Sequence, residues 1–116
     1  MKAVYKMTIS MRRSGDIEGV FIAEKEHIDY LVLSEIEIYF GEIAGKHSEV
    51  YGSIGKDEIK MITDDPKVVS VIEEYNLSSG YNPLNYTTIN TGDEYQDLTA
   101  REVIIDKLNK RKKAKK

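Results

Sequence analysis

Lys2-Ala3-Val4-Tyr5-Lys6-Met7-Thr8-Ile9-Ser10-Met11 places Ala3, Tyr5, Met7, Ile9 and Met11 on one side of an extended chain. Lys6, Thr8 and Ser10 fall on the other side. Successive side chains of a strand point to opposite faces, so this period of two predicts a half-buried strand. Arg12-Arg13-Ser14-Gly15-Asp16 has turn composition, with Gly15 able to supply a positive φ. Ile17-Glu18-Gly19-Val20-Phe21-Ile22-Ala23 then returns as a second strand. Residues 2–23 therefore read as a β-hairpin.

The rest of the chain extends this pattern. Ile28, Leu31 and Val32 have the spacing of a short amphipathic helix over residues 24–33. His27 is expected on its exposed side. Ile36, Ile38 and Phe40 alternate with Glu35, Glu37 and Tyr39, which predicts a third strand. Gly41 to His47 is expected as a bend, with glycine permitting a bulge at the strand end. Residues 50–54 and 58–62 supply two more short strands. Asp65-Pro66 is a helix start: aspartate can cap, and proline suits the first helical position. Val68, Val69, Ile72 and Tyr75 give that helix its apolar stripe, and Gly80 is expected to end the segment. Residues 77–98 read as a long polar loop. Thr99-Ala100-Arg101-Glu102 has the capping-box pattern, with Val103, Ile104 and Leu108 on one face of a last helix. The expected fold is α+β: a mainly antiparallel sheet of about five strands, with two or three helices packed on one face. Residues 1–108 form a single domain, and residues 109–116 are expected to be a disordered basic tail.

Charge is unevenly distributed. Lys107 to Lys116 holds seven of the 17 basic residues and no acid. The other 106 residues carry 10 basic and 20 acidic side chains, a net of −10. An acidic body with a basic end must be treated as two electrostatic objects. Cysteine is absent, which rules out disulfides, thiolate metal sites and cysteine catalysis, and fits a reducing cytoplasm. No stretch approaches the roughly 20 apolar residues of a membrane helix. The first residues lack the apolar run of a signal peptide, so the sequons at Asn76 and Asn85 are expected to be chance matches.

Few constellations carry chemistry. Gly41-Glu42-Ile43-Ala44-Gly45-Lys46-His47-Ser48 has three residues between its glycines and a histidine after its lysine. A phosphate loop needs four, then Ser or Thr. Backbone N–H groups near Gly45, with Lys46 and His47, still offer a cradle for an anion. With two histidines and no zinc spacing, no metal site is expected. Tyr81-Asn82-Pro83-Leu84-Asn85-Tyr86 combines flat rings with amide edges. Two readings stand: a clamp for a nucleobase, or a turn whose tyrosines cover the edge of the core. Arg12 and Arg13, at the hairpin tip, are either solvated charge or phosphate ligands. The basic tail suits counterion-releasing contact with nucleic acid, or simply solubility.

The stretch Tyr39-Phe40-Gly41-Glu42-Ile43-Ala44-Gly45-Lys46-His47-Ser48-Glu49-Val50-Tyr51-Gly52, with Ser79-Gly80-Tyr81-Asn82-Pro83, resembles small accessory proteins of phages and mobile elements. Within that group the chain is similar to counter-defence proteins of the Thoeris anti-defence type. The resemblance implies a non-catalytic, homo-oligomeric sponge for a cyclic ADP-ribose-like signal in the host cytoplasm. The residues put forward as ligand contacts are Arg12, Arg13, Lys46, His47, Tyr81, Asn82, Asn85 and Tyr86. No catalytic residue and no cofactor is expected. A second reading is a protein-protein inhibitor of a host defence nuclease, its acidic surface mimicking nucleic acid. A third is nucleic-acid binding through the tail.

Overall fold

The structure, a computed structural model, describes residues 1–10, 16–42, 49–89 and 91–114. Strand β1 (Lys2–Ser10) and strand β2 (Asp16–Glu24) pair antiparallel, from Lys2 opposite Glu24 to Ser10 opposite Asp16. Helix α1 (Lys25–Leu33) follows directly, then β3 (Glu37–Glu42), β4 (Glu49–Ser53) and β5 (Ile59–Thr63). Helix α2 (Pro66–Glu74), two-residue strands β6 (Ser79–Gly80) and β7 (Thr88–Ile89), and helix α3 (Ala100–Ala114) complete the order.

The fold is α+β with antiparallel pairing throughout, and the strands divide into two sheets. One runs β5-β1-β2-β6 and the other β4-β3-β7. Both feed one core. Tyr5, Met7, Phe21, Ile38, Ile54 and Ile104 are buried in it, joined by Ile28 and Leu31 of α1 and Leu108 of α3. The odd-numbered side of β1 thus faces the core as its alternation requires. Ile36, Ile38 and Phe40 are likewise buried. Between Tyr39 and Gly41 the register with β4 shifts, and Gly41 takes φ +75°, the bulge expected of a glycine there.

Three features depart from the sequence reading. First, the helices do not share one face. Helix α2 packs on β1 and β2 from the side opposite the main core, where Val4 and Val69 are buried outside the main cluster. The even-numbered side of β1 carries Val4, and Lys2 on that side reaches Glu73 of α2 at 3.0 Å. Second, residues 77–98 are not a plain polar loop. β6 pairs with β2 in the first sheet, and β7 pairs with β3 in the second, so residues 79–89 tie the sheets together. Pro83, Leu84 and Tyr95 anchor the segment by burial. Third, α3 continues through Ala114, six residues past the expected order at Leu108. Lys107 and Lys110 lie 5.3 and 5.4 Å from the centre of the Tyr95 ring, and Lys110 pairs with Asp106 one turn back at 3.2 Å. These contacts replace the missing apolar anchors.

The helix ends explain their positions. Asp65 Oδ1 accepts from the Lys67 N–H at 2.9 Å and starts α2. Its end is set by Asn76 at φ +52°, with the Leu77 N–H donating to the Ile72 carbonyl at 3.0 Å. That is a left-handed cap of the Schellman kind, with asparagine in place of glycine. It ends the helix before Gly80 is reached. At α3, Thr99 Oγ1 accepts from the Glu102 N–H, and the Glu102 carboxylate accepts from the Thr99 N–H, as the capping box requires. No helix among the described residues is long and apolar enough to cross a membrane.

Candidate functional site

Of the ligand contacts proposed from the sequence, Tyr81, Asn82, Asn85 and Tyr86 are among the described residues. Arg12, Arg13, Lys46 and His47 lie outside the described residues. Tyr81 and Tyr86 are half-buried in the crossover between the sheets. The Phe40 ring meets Tyr81 edge-on with centroids 6.2 Å apart, and meets Tyr86 at 5.2 Å. The two tyrosine rings are 5.8 Å from one another. Burial, then the neighbouring Tyr81, pushes the Tyr86 phenol above its ordinary value. The pair therefore closes the core edge where the chain changes sheets. The segment is held by backbone too: Tyr81 N–H donates to the Glu18 carbonyl, and Ala100 N–H to that of Tyr86. Asn85 is exposed to solvent.

Asn82 is different. Its Oδ1 accepts from the Leu84 N–H at 3.0 Å and so starts the short 3₁₀ turn Pro83–Asn85. Its NH₂ group has no partner among the described residues, and Asn82 lines a cleft of about 440 Å³. That volume lies within the range of small-molecule sites. The end of α2 brings Asn76 and Ser78 to the same cleft, the start of α1 brings His27, and the start of α3 brings Arg101. Ile22, Ile72 and Leu84 supply an apolar floor.

The electrostatics of this cleft turn on which charges are already matched. Glu73 is held by Lys2 at 3.0 Å. Glu24 accepts from the Met1 ammonium at 2.7 Å. That hydrogen bond, helped by the charges of the amino terminus, His27 and Lys2, keeps its carboxyl below the usual glutamate range. Both acids are thus neutralised from within the fold. The half-buried Arg101 guanidinium has no hydrogen bond or ion pair among the described residues. The cleft therefore presents one uncommitted cation, two amide side chains, a hydroxyl, an imidazole and an apolar floor. This donor-rich set suits an anion carrying a flat ring with polar edges.

A larger hollow of about 560 Å³ lies between α1 and α3, lined by Tyr30, Leu33, Leu108, Arg111 and Lys112 among others. Its lysines are engaged, Lys25 by Asp64 at 2.6 Å and Lys112 by Glu26 at 3.7 Å, and its arginine, Arg111, is exposed, whereas Arg101 is half-buried. It offers no uncharged polar group comparable to Asn76, Ser78 and Asn82 beyond Ser34 and Tyr30. The smaller cleft is the better-equipped site.

Of the residues lining this cleft, the sequence reading put forward Asn82 but not Arg101, Asn76 or Ser78. One signal for Arg101 was present. It sits in the first turn of a helix, where the dipole disfavours a cation. No protein family, curated protein or solved structure matches the chain.

Proposed function

We propose that this protein is a non-catalytic binder that sequesters a small nucleotide-like anion in the cleft between the end of α2 and the starts of α1 and α3. The observation that carries the reading is the Arg101 guanidinium, unpaired among the described residues, in one cleft with Asn76, Ser78 and Asn82, where the acids are already neutralised. Arginine is suited to bind phosphate through two parallel hydrogen bonds. The amides pair with base edges, and the half-exposed Ile22 and Ile72 hold the flat face of the base. The resemblance to phage counter-defence proteins supports a cyclic ADP-ribose-like signal as the ligand, captured in the host cytoplasm and left chemically intact.

The test is a thermal-shift screen against nucleotides, cyclic dinucleotides and cyclic ADP-ribose isomers, run on wild type and on Arg101→Gln. A ligand at about 100 times its Kd stabilises the folded state by about 2.7 kcal/mol. At roughly 4 °C per kcal/mol for a domain near this size, the shift is plain. Arg101→Gln is expected to weaken the same ligand by roughly 10- to 100-fold, the value of a charge-assisted hydrogen bond. The compound should be recovered unaltered. A flat screen, or a hit indifferent to Arg101→Gln, overturns the assignment.

A further inference from the structure

Helix α2 is built against its own dipole. Lys67 stands in its first turn and Glu74 is its last residue, with no acid in the first turn and no base in the last. A cation near the positive end and an anion near the negative end each oppose the macrodipole. Neither side chain has an ion-pair partner among the described residues. Glu73 next door is the acid that Lys2 engages. Asp65 at the N-cap and Lys2 on Glu73 offset part of the dipole, but among the described residues no ion pair holds Lys67 or Glu74 themselves.

The same helix leaves apolar surface uncovered. Val69 turns into the sheet and is 6% exposed, whereas Val71 is 46% and Tyr75 is 66% exposed. Val68 and Leu77 are also open to solvent. At 100° per residue, Val71, Tyr75 and Val68 fall on one narrow arc, and Lys67 and Glu74 border it on the same side. The stripe is therefore an apolar strip with a cation at its start and an anion at its end.

We infer that α2 is the contact face of a two-fold homodimer in which the α2 helices of two copies lie antiparallel. A two-fold axis makes a surface meet itself, so whatever faces residue i is faced by i in return. Antiparallel pairing brings Lys67 of one copy to Glu74 of the other, twice. It also brings each Lys67 near the negative end of the opposite helix and each Glu74 near the positive end. The charges that oppose the dipole within one chain match it across the pair. Val71 lies near the axis, with Val68 and Tyr75 packing to either side. This surface does not depend on the ligand cleft.

Sedimentation velocity across a hundredfold concentration range tests the interface. Wild type is expected as a monomer–dimer equilibrium shifting to dimer as concentration rises. Val71→Asp is expected to give monomer throughout. Lys67→Glu and Glu74→Lys each convert two attractive pairs into two repulsive ones and are expected to weaken the dimer about tenfold. Both changes agree with the helix dipole, so each single variant should fold at least as well as wild type. The double variant Lys67→Glu/Glu74→Lys restores both pairs and is expected to recover the dimer. A wild type that stays monomeric, a dimer that survives Val71→Asp, or a double variant no better than the singles overturns the proposal. If Val71→Asp fails to fold, the charge-reversal set decides alone.

Discussion

At the scale of single residues, the closest constraint on any described glycine is the meeting of Gly19 and Gly80. A Cβ on Gly19 would stand 1.9 Å from the Tyr81 carbonyl oxygen, and one on Gly80 would stand 2.2 Å from the Glu18 carbonyl oxygen. Gly80 also has φ +70°, a conformation that costs other residues energy. These contacts are to backbone, which cannot swing aside as a side chain does. Gly19→Ala is therefore expected to break the β2–β6 pairing and destabilise the fold by about 3 kcal/mol, the upper part of the overpacking range. Thermal unfolding should fall by roughly 10 °C or more. A loss under about 1 kcal/mol would mean that the strands part at little cost. The need for glycine here was not legible in the sequence. Gly80 read as a segment end because glycine is common there. Its real constraint comes from a strand distant in sequence. Arg101 was obscured in a similar way: its place in the cleft that Asn82 also lines is set by how α3 packs, although its unfavourable seat in a first turn was visible.

Elements were more legible than contacts wherever local chemistry sets them. The hairpin of β1 and β2 followed from period-two alternation, and the capping box at Thr99 from two residue types at a fixed spacing. Asp65 and Pro66 together began α2, and this start can be tested. Asp65→Ala removes the acceptor for the Lys67 N–H. It is expected to destabilise the protein by about 1 kcal/mol, or roughly 4 °C in melting temperature. Asp65→Asn keeps a capping oxygen and is expected to restore most of that loss; equal losses for both would show that charge, not capping, is at work. The far end of α2 was misjudged because a left-handed asparagine cap has no signal as strong as glycine. The far end of α3 was misjudged for another reason. Past Leu108 the helix has no apolar anchor, and its order comes from lysines packed on Tyr95, a residue outside the helix. Such cross-element support has no periodic signature. The division of strands into two sheets was hidden for the same reason, since β6 and β7 are two residues each and exist only through their partners.

For the whole molecule, the dependence of stability on pH follows from where its titratable groups sit. Tyr5 is 4% exposed and stacks with Phe21 at 6.2 Å. Burial first, then Asp29 and Asp64, raises its phenol above the ordinary value of 10.0. Tyr86 is raised by burial and Tyr81, and Tyr95 chiefly by its hydrogen bond to Asp106. A group whose pKa is higher folded than unfolded binds its proton more tightly in the folded state. Its stabilising contribution is complete below the unfolded value and is lost as pH rises through the folded one. All three tyrosines therefore weaken the fold in the same window, above about pH 10. Lys110, also raised by Tyr95 and Asp106, acts in the same direction. On the acid side the sign reverses. Glu24 is lowered by the amino terminus and Asp64 by Lys25, so their contributions are present above the ordinary carboxylate range and lost as pH falls. The Met1–Glu24 pair is exposed and the Lys25–Asp64 pair only half-buried, which keeps the acid limb shallow. Denaturant midpoints measured against pH are expected to show a plateau from about pH 5 to 9, a gentle acid decline and a steeper alkaline one. Tyr5→Phe keeps the ring in the core and removes the ionisable hydroxyl, so its alkaline limb should be shallower than that of wild type while the acid limb is unchanged. If the two alkaline limbs coincide, the proton in question belongs to Tyr86, Tyr95 or Lys110, and Tyr95→Phe, which also removes one partner of Lys110, distinguishes Tyr86 from the Tyr95–Lys110 pair.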